Sequence, residues 1–173
     1  MALHISGESP APAGSPYDWY QRARALVESG SPEAALLLLG RLEADEPGTR
    51  SVAELRGRAL FDTRRYADAA RAFELLTELA PDDDYAHFGL GMALWRLHDF
   101  PRARDHLALA CAMRPARREY AQALRQVRAT LASREAAGLP LQGSIDPSIT
   151  GGGIGVADAD HHQREAGNST ELT

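Results

Sequence analysis

The chain has 173 residues, a formal charge of −5, 44% hydrophobic and 25% charged residues. That length fits one domain and that composition a globular chain. The negative sign argues against nucleic acid or an anionic membrane surface as partner, since either needs a strongly basic patch.

Cys111 is the single cysteine, which excludes an internal disulfide and a zinc site of Cys/His spacing. All 19 basic residues are Arg, a usage bias that points to a GC-rich bacterial genome. Residues 1–15 are rich in Pro, Ser and Gly and read as a disordered N-terminus. Met1 to Pro16 has no basic start followed by an apolar stretch, so it does not read as a secretory signal. The most apolar run, Ala34 to Leu39, is far shorter than the roughly 20 residues that span a bilayer. The expected location is the cytoplasm.

From residue 16 a repeat dominates. Pro47, Pro81 and Pro115 stand 34 residues apart. The same step links Ala35, Ala69 and Ala103, then Leu26, Leu60 and Leu94, then Ala25, Ala59 and Ala93. It also links Leu39, Phe73 and Leu107, and the small residues Ala23, Gly57 and Gly91. Agreement of several columns at one period marks a repeat architecture.

Each unit reads as two amphipathic helices. In the second, 51–63 carries Ala53, Gly57, Leu60 and Phe61 near helical spacing, and 66–80 carries Tyr66, Ala69, Ala70, Phe73 and Leu76. Arg64-Arg65 is the turn between them. Pro81 ends the pair, and one of Asp82, Asp83 or Asp84 is placed to cap the next helix. The small column marks close helix approach, with Ala35, Ala69 and Ala103 expected to meet it from the second helices. A Gly inside a helix costs about 0.5–1 kcal/mol, so two in one column imply a packing constraint.

A last helix is expected over 116–136. Tyr120, Ala121, Leu124, Val127 and Leu131 form its apolar side, and Arg117, Arg118, Arg125, Arg128 and Arg134 its polar side. Such a helix caps a solenoid. From Gly138 the composition turns to Gly and polar residues, and 138–173 reads as a disordered acidic tail. Arg114 to Glu135 carries six Arg against two acidic residues, while the chain from Ala136 carries five acidic residues and one Arg. Exposed charge pairs contribute little, so the two read as separate solvated surfaces.

This pattern resembles the tetratricopeptide repeat family. The matching residues are Trp19, Ala23, Leu26, Ala35, Leu39, Leu42 and Pro47 in the first unit. The second supplies Gly57, Leu60, Tyr66, Ala69, Phe73, Leu76 and Pro81. The third supplies Leu90, Gly91, Leu94, Phe100, Ala103, Leu107, Ala110 and Pro115. Arg22 and Arg56 stand where the pattern prefers Leu, and Ala53 and His87 replace its Trp. The resemblance implies an all-α solenoid of three helix hairpins, 16–49, 50–83 and 84–117, within a domain spanning 16–137.

It also implies a concave face lined by the first helix of each pair. The positions carried over are Tyr17, Tyr20, Arg24 and Val27; Ser51, Glu54, Arg58 and Phe61; and Tyr85, Phe88, Met92 and Trp95. Aromatic, Met and Arg residues are the types enriched at binding hot spots. The implied partner is a protein or peptide segment, mostly apolar with limited charge, and no cofactor or metal is implied. One subclass of the family holds acidic chaperone C-termini in a clamp of Lys, Asn and Arg. Its positions here are Tyr20, Arg24, Leu55, Tyr85 and Gly89, only one of them basic, which argues against that clamp.

Other readings are weaker. Cys111 has only His106 nearby in sequence and reads as a small packed residue; His87, His98 and His106 read as satisfied or surface histidines. Asp160-His161-His162 has no preorganised framework for a metal, Asn168-Ser169-Thr170 is an incidental glycosylation match, and Gly151–Gly155 lacks the Lys-Ser/Thr of a phosphate loop. No convergent catalytic group emerges, and the chain reads as non-enzymatic. An adaptor is therefore the leading expectation. A secretion or assembly chaperone and a self-associating structural oligomer are the alternatives, and an enzyme is the weakest.

Overall fold

The computed structural model describes residues 14–45 and 49–144. Within them lie seven helices: α1 Pro16–Glu28, α2 Pro32–Asp45, α3 Arg50–Asp62, α4 Tyr66–Leu79, α5 Asp84–Arg96, α6 Phe100–Met113 and α7 Arg118–Ala136. Each packs on the next in sequence, and α1, α3, α5 and α7 also touch in succession. The result is a one-dimensional stack of hairpins, α1–α2, α3–α4 and α5–α6, closed by α7. The readings at Pro47, at 1–13 and at 145–173, with Gly151–Gly155, Asp160–His162 and Asn168–Thr170, lie outside the described residues.

The three intra-hairpin turns are one structure. Gly30, Arg64 and His98 adopt φ of 80°, 61° and 61°. The next residue then donates back into the first helix: Ser31 N to Leu26 O at 2.8 Å, Arg65 N to Leu60 O and Asp99 N to Leu94 O at 2.9 Å. This left-handed closure satisfies the orphan carbonyls at a helix end. Glycine enters it freely, whereas Arg64 and His98 do so at a cost of roughly 1–2 kcal/mol each. The start of α5 is capped as the aspartate run implied. Asp83 Oδ1 accepts from Tyr85 N at 3.0 Å and Ala86 N at 3.2 Å. At the head of α1, Ser15 and Asp18 form a reciprocal capping box.

Three of the repeating columns are core throughout, whereas Ala25 is exposed and Leu26 half-buried. Ala35, Ala69, Ala103, Leu39, Phe73 and Leu107 are all buried. The small residues sit where helices touch. A Cβ at Gly91 would lie 2.7 Å from Leu107 Cγ and 3.2 Å from the Ala103 carbonyl. A Cβ at Gly57 would lie 2.9 Å from the Phe73 ring, and one at Gly89, outside the repeating column, only 2.5 Å from that ring. Phe73, on α4, is thus wedged between α3 and α5 where neither has a side chain.

Acidic residues between hairpins tie the stack. Asp83 Oδ2 accepts from Arg50 Nε at 3.1 Å and Nη2 at 2.7 Å, joining the start of α3 to the start of α5. Asp84 accepts from the buried Tyr120 hydroxyl at 2.9 Å and from Arg114 Nε at 3.1 Å, joining α5 to α7. Burial alone would raise the Asp84 carboxyl; the hydrogen bonds from Tyr120 and Arg114 outweigh it and hold it below the ordinary range. Arg56, at a position where the repeat prefers Leu, pairs with Glu43 of α2.

Two expectations at the C-terminal end are corrected. Arg134 was placed on the polar side of the last helix, but it is buried. Its guanidinium lies 4.9 Å from the Phe100 ring centroid and donates to Pro140 O at 2.6 Å and Gly143 O at 2.8 Å. The disordered tail was placed from 138, but 138–143 is a strap held by Arg134. Gly138 at φ 65° reverses the chain, and Gly143 N donates to His98 O at 3.0 Å. The physical reason is the same for both: the strap's carbonyls supply the acceptors that let an arginine be buried.

His87, which is buried, and His106, which is half-buried, form a polar pair. His87 Nε2 lies 3.0 Å from Pro81 O, so it carries the hydrogen, and His87 Nδ1 then accepts from His106 Nδ1 at 3.1 Å. Burial, then His87 and Arg102, depress the His106 pKa below 6.5, against the opposing pull of Asp105 and Glu74. Between the depressed and the ordinary value the unfolded chain binds the extra proton, so this contribution is complete above about pH 6.5 and declines as pH falls. Denaturant melts should show lower stability at pH 6 than at pH 7.5, and His106→Gln should flatten that slope. An unchanged slope in the variant would mean the pair does not couple to folding.

Candidate functional site

The faces of α1, α3 and α5 that avoid the second helices, together with the start of α7, enclose a run of depressions. The central one, about 320 Å³, is lined by Tyr20, Arg24, Glu28, Ser51, Glu54, Leu55, Arg58, Tyr85 and Arg117. It is charged on both sides. Arg24 reaches Glu28 at 3.7 Å one helical turn on, and both are exposed. Glu54 is half-buried; burial, then the Asp83 charge, raises its carboxyl pKa against the pull of Arg50 and Arg58.

A smaller apolar depression, about 150 Å³, adjoins it and shares Arg58 and Tyr85 as a common wall. Phe61, Asp62, Phe73, Phe88, Gly89 and Met92 complete its lining. The aromatic rings are fixed by their neighbours. Phe88 stacks on Tyr120 of α7 with centroids 4.5 Å apart, Tyr85 meets Phe73 edge-on at 6.1 Å, and Phe61 meets Tyr66 edge-on at 5.3 Å. Such contacts hold side chains in single orientations and so preorganise the surface. Burial raises the Tyr85 phenol pKa, which keeps it a neutral hydrogen-bonding group at the junction of the two depressions.

The carried-over residues divide among four depressions and the core. Tyr20, Arg24, Ser51, Glu54 and Arg58 line the charged cleft, and Arg58, Phe61, Tyr85, Phe88 and Met92 the apolar one. Tyr17 is 68% exposed and lines a separate depression with Tyr20, Leu42 and Val52, at the open edge of the first hairpin. Trp95 lines another at the opposite end, with Tyr66, Arg96, His98, Phe100 and Thr130. Val27 is a correction: it is buried in the first hairpin's core with Trp19, Ala23 and Leu39, because it falls on the α1 side that faces α2.

Arg117 and Phe73 join the lining although the sequence reading does not place them there, and Gly89, named there only as a clamp position, lines the apolar depression. Arg117 belongs to the N-cap of α7, and only the docking of α7 beside α5 brings it to the cleft. Cys111 is free and packs against the main core, where burial raises its thiol pKa. Among the described residues no group of three or more His, Cys, Asp or Glu could hold a metal ion. Likewise no helix among them is long and apolar enough to cross a membrane.

Stacked helical hairpins with one continuous inner face define an α-solenoid of the repeat class. The tetratricopeptide repeat model matches residues 20–84 and 54–117, and the chain belongs to that family. A search of curated proteins finds no significant sequence match. Among solved structures, the first tetratricopeptide domain of human RPAP3 superposes with a TM-score of 0.65 at 19% identity, over 70% of this chain and 96% of that one. MamA from Desulfovibrio magneticus gives 0.66 at 21% identity, over 72% and 70%. The second such domain of human RPAP3, in complex with the HSP70 peptide SGPTIEEVD, gives 0.60 at 16% identity, over 66% and 98%. At these identities the likeness establishes the fold.

Gly89 couples fold to site. Gly89→Ala would push the Phe73 ring, which is buried and cannot retreat, toward the apolar depression. The variant should fold but lose about 1–3 kcal/mol in denaturant melts, the usual cost of overpacking. Wild-type stability in the variant would show that the ring is not pinned there.

Proposed function

We propose that this chain is a protein-interaction module that holds a peptide segment of another protein on the inner face of α1, α3 and α5. The observation that carries this reading is the junction of an apolar depression with a charged cleft through shared walls, Arg58 and Tyr85. An apolar side chain of the partner fills the first, and adjacent polar or charged groups meet Arg24, Arg58 and Arg117 in the second. Recognition by one buried anchor with a charged rim is the usual anatomy of a peptide site. The peptide complex of a structurally similar RPAP3 domain supports this use of the fold. The positions of the family's carboxylate clamp here hold Tyr20, Leu55, Tyr85 and Gly89 beside Arg24, and Leu55 is buried. The partner is therefore read by its apolar anchor first and by charge second. Such a module acts as an adaptor, or as a cytoplasmic assembly chaperone if its client's segment is otherwise insoluble.

The test uses a library of displayed random peptides selected on the full chain. Enriched peptides should share a large apolar residue. Met92→Ala should weaken them by about tenfold, near 1.4 kcal/mol, and Arg58→Ala by less and only at low salt. Peptides that bind both variants as tightly as the wild type would refute the assignment of the site.

A further inference from the structure

Two charged residues of the central cleft are left without partners. Arg24 pairs with Glu28 at 3.7 Å and Arg117 with Glu119 at 3.2 Å. Glu54 and Arg58 have no hydrogen bond or ion pair to any described residue. Arg58 is exposed and water serves it, whereas Glu54 is half-buried. A carboxylate that has lost water without gaining a donor is an incomplete contact. We propose, resting on the peptide site read above, that Glu54 binds a Lys or Arg of the partner segment, about three residues from that segment's apolar anchor.

The chemistry of the occupant follows from the surroundings of this carboxylate. Burial, then the Asp83 charge, disfavours the bare anion and outweighs the pull of Arg50 and Arg58. A cation that donates hydrogen bonds answers both deficits, whereas a peptide N–H answers only one. Arg50 does not serve from within, because Asp83 accepts from its Nε at 3.1 Å and its Nη2 at 2.7 Å. Arg58 lies one helical turn nearer the apolar depression, and its exposure lets water and salt screen its charge. The spacing follows from α3. Ser51, Glu54, Arg58 and Phe61 recur every three or four residues and share one face. That face runs from the charged cleft, lined by Ser51, Glu54 and Arg58, into the apolar depression, lined by Arg58 and Phe61. From Phe61 to Glu54 it spans about 10 Å. An extended segment laid along it covers that length in about three residues.

Displayed random peptides selected on the full chain at neutral pH supply the probe. Aligned on their shared apolar residue, the enriched sequences should carry Lys or Arg about three positions away. In a synthetic peptide of that consensus, changing the cationic residue to Gln should weaken binding to the wild-type protein about five- to tenfold. The same change should weaken binding to the Glu54→Gln variant by less than about twofold, the mark of a direct pair in a double-mutant cycle. Glu54 has no hydrogen bond or ion pair to lose within the chain, so this variant should melt as the wild type does. Enriched peptides that share the apolar residue but no cation would overturn the proposal and leave the apolar anchor site standing, as would equal losses on both proteins. Coupling to Glu28→Gln in place of Glu54→Gln would also overturn it, assigning the cation to the exposed rim. A selection that enriches no peptide would overturn the peptide site itself and this inference with it.

Discussion

The Phe73 ring occupies space that two helices make available by having no side chains there. A Cβ on Gly57 or Gly89 would stand within 3.0 Å of it. That single contact fixes three things together. It sets how closely α3 and α5 approach α4, and hence the pitch from one hairpin to the next. It supplies the floor of the apolar depression, because Phe73 and Gly89 both line it. It also orients Tyr85, which meets Phe73 edge-on and forms the wall shared with the charged cleft. Core and depression here share one set of residues, so packing faults in the second hairpin are felt directly in the lining of the depression.

The stack is otherwise held by elements that recur with the repeat but change their chemistry. The turn position is Gly30, then Arg64, then His98, all left-handed and all closed by the same hydrogen bond. Between hairpins, Asp83 and Asp84 each cap or bridge, one to Arg50 behind and the other to Tyr120 and Arg114 ahead. Tyr120 in turn stacks on Phe88. The closing helix therefore does more than shield the last hairpin from water. It braces one aromatic wall of the site and brings Arg117 to its rim.

Much of this is legible in the residues. The 34-residue period, the buried Ala and Leu/Phe columns and the close approach at Gly57 and Gly91 follow from identity at fixed spacing. Features carried by position and not by residue type escape such a reading. The common turn is hidden because Gly, Arg and His share no side-chain property. Gly89 is hidden because it falls outside the repeating column, and its role appears only when Phe73 is seen between two helices. Arg134 is hidden because a helical Arg among other Arg residues reads as solvated. Its burial depends on carbonyls of a strap whose path no local pattern announces. At the site, the assigned inner-face positions lie on α1, α3 and α5. Which residues share a depression, and that Val27 belongs to the core and not to the groove, depends on helix rotation and on the docking of α7.

The central claim is that the inner face of α1, α3 and α5 is where a partner segment binds. Amide chemical-shift mapping of the full-length protein, titrated with a peptide selected from a random displayed library, tests it most directly. The account predicts shifts concentrated around Arg24, Arg58, Tyr85 and Met92, with α2, α4 and α6 surfaces unaffected. Shifts confined to the outer faces, such as around Leu37, Leu75 and Leu109, would contradict it.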